Sequence, residues 1–159
     1  MCIRDRRDEW SHDRSLDWHL LEYAPHQGVQ QLVKDLNTLY RNTAALYEID
    51  FEGDGFEWID YGDRDASVLS WLRRDRGGAY VVCIVNLTPV VREGYRVGVP
   101  SGGKFNTLIN TDRAHYGGSD VGPASVLSDD HGHHGRPHSL QLTLPPLATL
   151  ILQPESLGD

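Results

Sequence analysis

Two indoles, two imidazoles and several carboxylates crowd the stretch from Glu9 to Tyr23, which reads Glu-Trp-Ser-His-Asp-Arg-Ser-Leu-Asp-Trp-His-Leu-Leu-Glu-Tyr. Flat rings can stack on a ligand's apolar face while acids and ring nitrogens hydrogen-bond its polar edge, so this mixture suits a binding surface better than the first turn of a domain. Trp10, Asp13, Asp17, Trp18 and His19 are the candidate binding residues.

A second group of chemistry-bearing side chains comes late: Asp129, Asp130, His131, His133, His134 and His138. Imidazole and carboxylate are common Zn²⁺ ligands. However, His131-Gly132-His133-His134 lies on a glycine-hinged stretch rather than along one helix face, and no Cys cluster accompanies it. Such tracts point to metal by composition only. The simpler reading is a polar loop packed beside the rest of the fold, with no metal and no cofactor. A metal-binding β protein is the competing reading, and it predicts loss of stability on adding a chelator.

Fifteen basic against twenty-three acidic side chains leave a net charge of −8, which repels nucleic-acid phosphates and anionic lipids alike. No run approaches the ~18–20 apolar residues of a membrane span, so neither nucleic acid nor membrane is expected as a partner. Of the two cysteines, Cys83 lies in the apolar run Tyr80-Val-Val-Cys-Ile-Val85 and reads as a small core hydrophobe. That usage fits a reducing, cytoplasmic compartment. The leader, residues 1–8, has no apolar signal stretch.

The elements that must position these groups are one helix and a series of strands. Val29, Leu32, Val33, Leu36, Leu39 and Tyr40 form one apolar stripe at helical spacing. It predicts a helix over 28–41, entered at Pro25 and Gly28 and ended at Asn42-Thr43. Beyond it, short β-like runs are separated by Gly, Pro and Asp, the pattern of an antiparallel sandwich. Strands are expected at 56–59, 67–73, 80–87, 95–99, 104–110, 139–144 and 148–152, with Arg76-Gly77-Gly78 as a hairpin turn. Tyr80 to Val85 is apolar on both faces and should be central. In Ser139-Leu-Gln-Leu-Thr-Leu144 the alternation turns Leu140, Leu142 and Leu144 inward. Trp58 and Trp71 fall in strands, where core or sheet-face packing is usual. Residues 112–138 show no periodicity and read as one long loop.

Several ordered motifs, taken together, carry a resemblance. They are Trp10-Ser-His-Asp13, Ser15-Leu-Asp-Trp-His-Leu-Leu21, His26-Gln-Gly-Val-Gln30, Leu39-Tyr-Arg41, Gly55-Phe-Glu-Trp-Ile59, Asn86-Leu-Thr-Pro-Val90, Leu108-Ile-Asn-Thr-Asp112, Tyr116-Gly-Gly-Ser119, His134-Gly-Arg-Pro-His-Ser-Leu140 and Leu144-Pro-Pro-Leu-Ala-Thr149. From about Glu9 to Glu155 the chain resembles the C-terminal end of bacterial 1,4-α-glucan (glycogen) branching enzymes, in the α-amylase superfamily (glycoside hydrolase family 13).

The resemblance implies a mainly β fold: an antiparallel β-sandwich, preceded by one amphipathic helix left from a (β/α)8 barrel. Residues 9–44 would be the barrel's last loop and helix, 45–155 the sandwich, and 156–159 a tail. The family's retaining chemistry needs carboxylates on barrel strand ends. By the resemblance these lie upstream of residue 1, so no catalytic residue is expected here. The family's stabilising carboxylate also sits in a His-Asp pair, but Arg14-Ser-Leu-Asp-Trp18 following Asp13 matches a later loop, which gives Asp13 a loop-positioning role. That loop lies near the family's active-site rim, so glucan contact and plain packing are both open for Trp10 and Trp18. The expected partners are α-glucan or glycogen and a barrel domain packed on the helix. Without that barrel, an apolar patch should remain on the helix and favour self-association. The favoured function is a non-catalytic piece of a branching enzyme, supporting the barrel and chain selection; the alternative is a freestanding glucan-binding β module.

Overall fold

The computed structural model describes residues 11–155. A 3-10 turn, Trp18–Glu22, leads into helix α1, Ala24–Asn42. Eight strands follow: β1 Phe56–Asp60, β2 Val68–Arg74, β3 Tyr80–Asn86, β4 Arg92–Val99, β5 Lys104–Asn110, β6 Ser125–Asp129, β7 His138–Leu144 and β8 Ala148–Pro154. Every pairing is antiparallel, in the order β1-β2-β3-β8-β5-β6-β7-β4.

The strands divide into two layers because β6 serves both. Ser125, Val126 and Leu127 pair with β5, whereas Ser128 and Asp129 pair with β7. Between the layers lies the core. Val68, Leu72, Val82, Ile84, Phe105, Leu150 and Leu152 from one side meet Val97, Val99, Leu140, Leu142 and Leu144 from the other. Each such side chain contributes ~1.5–3 kcal/mol when fully buried, before ordering entropy is subtracted. The fold is therefore mainly β, as the alternating strands require.

The expected inward facing of Leu140, Leu142 and Leu144 is observed, all at 1% exposure or less. β3 pairs on both edges and is buried on both faces. Its outer face, with Val81 and Cys83, is covered by Ala45 and Leu46 from the segment after α1. The β2–β3 turn closes as expected: Gly78 takes a φ of +85° and Asp75 Oδ1 accepts the Ala79 N–H at 2.8 Å.

Three expectations need correction. Residues 112–138 are not one long loop, because they contain the 3-10 turn Ala114–Tyr116 and strand β6. β6 has no apolar run of its own and is held by partners on both edges. β4 begins before Tyr95, at Arg92, across a bulge where Gly94 adopts φ +64°. Finally, Gly28 is not the helix entry. The helix starts at Ala24 with Pro25 in its first turn, and Gly28 is buried within it, where a Cβ would sit 2.5 Å from the Tyr116 carbonyl oxygen.

α1 meets the sandwich mainly through the turn Ala114–Tyr116 and otherwise packs on the turns Trp18–Glu22 and Ala44–Leu46. Val29, Leu32 and Leu39 are half-buried, but Val33, Leu36 and Tyr40 are 51%, 37% and 49% exposed. As expected, the sandwich covers only part of the apolar stripe.

Candidate functional site

The aromatic loop sits on α1 through Leu20, its buried residue, and through Gln27 Nε2, which donates to the Leu21 carbonyl at 2.7 Å. The tight turn forms because Leu20 N–H returns to the Asp17 carbonyl and Tyr23 N–H to the Leu20 carbonyl. With Leu20 turned inward, the adjacent Trp18 and His19 face solvent, Trp18 at 64% exposure. Asp17 is half-buried at the head of the turn, and Asp13 is exposed beside His12 Nε2 at 3.2 Å. Trp10 lies outside the described residues. Among the described residues, no hydrogen bond, ion pair or ring contact joins Asp13, Asp17, Trp18 and His19 to one another.

A second aromatic surface lies on β1 and β2. Trp58 and Trp71 stand opposite each other in the β1–β2 ladder, 6.1 Å apart edge to face. Phe56, two residues before Trp58, lies 5.0 Å from it, and Tyr61 lies 5.7 Å from it. Trp71 is half-buried against the Ala45–Val81–Cys83 cluster, but Phe56, Trp58 and Tyr61 are open to solvent. The signal available in the sequence was Phe56-x-Trp58, two rings at strand spacing and so on one face.

Beside that surface, Glu57 is clamped by Arg74 Nη2 at 2.7 Å and Arg136 Nη2 at 2.6 Å. The bond from Arg74 holds the Glu57 carboxyl below the usual range; burial opposes this, and Arg136 adds to it. Arg136 belongs to the His134–His138 stretch, which therefore packs against the β1 edge. Its histidines go to separate partners: His134 Nε2 lies 3.6 Å from Asp60, and His138 Nδ1 lies 3.2 Å from Asp130. Burial pushes the His134 imidazole below its ordinary value and His133, whose ring is 4.1 Å away, adds to this; Asp60 and Asp63 pull the other way. Among the described residues, no three His, Cys, Asp or Glu side chains converge as metal ligands.

The motif residues of the middle of the chain build the frame. Asn86 donates to the Val90 and Pro145 carbonyls and accepts from Thr88, closing the β3–β4 connection. Asp112 accepts from Ser119 N–H, Ser119 Oγ and Val121 N–H, while Asn110 reaches the Val121 carbonyl. These bonds fold residues 112–121 into the projection on which α1 rests. Tyr116 Oη then donates to Asp35 on α1 at 2.7 Å. Burial raises the Tyr116 phenol to about 12, and Asp35 reinforces the shift.

No helix among the described residues is long and apolar enough to cross a membrane. The chain is 54% identical to the 1,4-alpha-glucan branching enzyme GlgB of Cereibacter sphaeroides, over 92% of this chain and 20% of the relative. It is 52% identical to that of Rubrobacter xylanophilus, with 92% and 20% covered, and 51% identical to that of Aquifex aeolicus, with 92% and 24% covered. The chain thus spans about a fifth of the length of the curated relatives it matches. Residues 58–155 match the family model described as "Alpha amylase, C-terminal all-beta domain". That match covers β1 from Trp58 and every later strand, so the chain belongs to the alpha-amylase C-terminal all-beta domain family.

Proposed function

We propose that this chain is the C-terminal part of a 1,4-α-glucan branching enzyme, a cytoplasmic transferase that moves an α-1,4-glucan segment to a 6-hydroxyl and so makes α-1,6 branches in glycogen. Residues 9–44 are the last loop and helix of a (β/α)8 barrel, and residues 45–155 are the sandwich that supports it. No chemical step is assigned to a residue of this chain. Trp10, Asp13, Asp17, Trp18 and His19 contact glucan at the rim of the barrel's site, the rings by stacking and the acids by accepting hydrogen bonds from its hydroxyls.

The observation that carries this reading is the state of α1. It belongs to a segment about half identical to branching enzymes, yet it offers Val33, Leu36 and Tyr40 to solvent. A barrel packed on that face accounts for both facts. The test is glucan branching by iodine staining and debranched-chain analysis, with the chain alone and with the chain fused to the upstream barrel of a related enzyme. Recovery only on fusion is expected. Branching by the chain alone would refute the placement of the catalytic carboxylates outside it.

One observation favours the second reading, a glucan-holding β module: Phe56, Trp58 and Tyr61 make an exposed row of rings on the β1 edge. It predicts that migration in native gels containing glycogen is retarded, and that Trp58→Ala abolishes the retardation.

A further inference from the structure

We propose that the groove between the first turns of α1 and the turn Ala114–Tyr116 binds a short stretch of neutral α-1,4-glucan, an inference that rests on the glucan reading above. The groove measures about 680 Å³, within the ~300–1,000 Å³ typical of ligand sites. Among the described residues its polar lining comes from Gln27, Gln30, Gln31, His115 and Tyr116. The nearest carboxylate, Asp35, is engaged by Gln31 and Tyr116 and lies 3.9 Å from His115, so a sugar hydroxyl, at once donor and acceptor, meets amides that match it.

Hydrogen-bonding capacity is left over there. Gln27 and Gln31 use their Nε2 groups on the Leu21 carbonyl and on Asp35, leaving both Oε1 atoms as acceptors. Among the described residues, half-buried Gln30 makes no side-chain hydrogen bond. The His115 ring lies 3.9 Å from that of Tyr116, giving the groove an aromatic wall. Both walls are fixed before any ligand arrives. Gly28 lets α1 approach the Tyr116 backbone, and Tyr116 Oη is tied to Asp35. Such preorganisation lowers the ordering cost of binding. Gln27, one of the groove's lining residues, also holds Leu21 in the turn that carries Trp18 and His19.

The test is a ¹H–¹⁵N titration of this chain with maltoheptaose, with cellohexaose as the control. Saturable shifts are expected at the Gln30 and Gln31 side-chain amides and at residues 114–117, with no saturable response to cellohexaose. Gln30→Ala combined with His115→Ala should weaken that response about ten-fold, the effect of losing one or two hydrogen bonds, while the dispersed amide spectrum of the sandwich stays unchanged. A response to maltoheptaose confined to residues 11–23 or to the β1–β2 aromatic row would overturn the groove but leave the glucan reading standing. Groove shifts undiminished by the double variant, or matched by cellohexaose, would overturn it as well. Silence everywhere would also overturn it, and the fusion assay would then decide the branching-enzyme reading by itself.

Discussion

His134 is the side chain whose environment makes the sharpest claim. It is half-buried on the β1 edge, its Nδ1 faces the Gly98 N–H at 3.4 Å, and burial together with His133 lowers its affinity for a proton. A lowered folded-state value means that the unfolded chain takes up the proton first as pH falls. Stability is therefore complete above about 6.5, the ordinary histidine value, and declines as pH drops through the folded-state value. Urea midpoints at pH 7.5 and 5.5 should differ in wild type and converge in His134→Gln; an unchanged gap would refute the claim. The Glu57 carboxyl, held down by Arg74 and Arg136, adds a further loss only at more acid pH. Trp18 makes the opposite kind of case. It is well exposed and buries little, so Trp18→Ala should leave the melting temperature within a degree or so yet lower branching several-fold in the fused enzyme. A fall in stability with normal branching would make Trp18 a packing residue instead.

At the scale of elements, α1 is defined by a contact that helix propensity would never suggest. In an exposed helix interior Gly→Ala stabilises by ~1 kcal/mol. At Gly28 the new Cβ would lie 2.5 Å from the Tyr116 backbone oxygen, and backbone cannot swing aside as a side chain can. Gly28→Ala should therefore destabilise by ~1–3 kcal/mol, the usual range for overpacking, with amide exchange rising across α1 and residues 112–121 before the sandwich responds. A stabilised variant would show that the helix docks differently. The same contact explains which parts of the fold were legible in the sequence. The alternation of β7, the all-apolar run of β3 and the turn at Gly78 are local patterns, and each appears where the pattern puts it. β6 and the close approach at Gly28 are non-local. Ser125-Val-Leu-Ser-Asp129 becomes a strand only because two sheets meet there, and a buried glycine in a helix reads as punctuation until its neighbour is known. The pair Phe56-x-Trp58 is likewise local, whereas the approach of Trp71 to Trp58 follows only from the β1–β2 register.

For the whole molecule, two surface properties compete. Net charge −8 keeps copies apart through long-range repulsion, while Val33, Leu36 and Tyr40, with Tyr47 against Tyr40 at 5.6 Å, offer a contiguous apolar face that gains by being covered. Repulsion is screened over ~10 Å at 0.1 M salt and over ~3 Å at 1 M, whereas burial of apolar surface is not. The chain alone should therefore associate more as salt rises, the reverse of an assembly held by ion pairs. Light scattering coupled to gel filtration should show apparent mass increasing with both protein and salt concentration, and a hydrophobic dye should light up at low concentration, where the face is open. Val33→Gln with Leu36→Gln changes no charge and keeps good helix formers, so it should abolish association and dye binding together while the β-sheet spectrum persists. In a fusion where the barrel occupies the face, wild type should behave like that variant. A salt-independent monomer that binds no dye would mean that the stripe of α1 is satisfied within this chain, and the case for a barrel covering it would lose its main support.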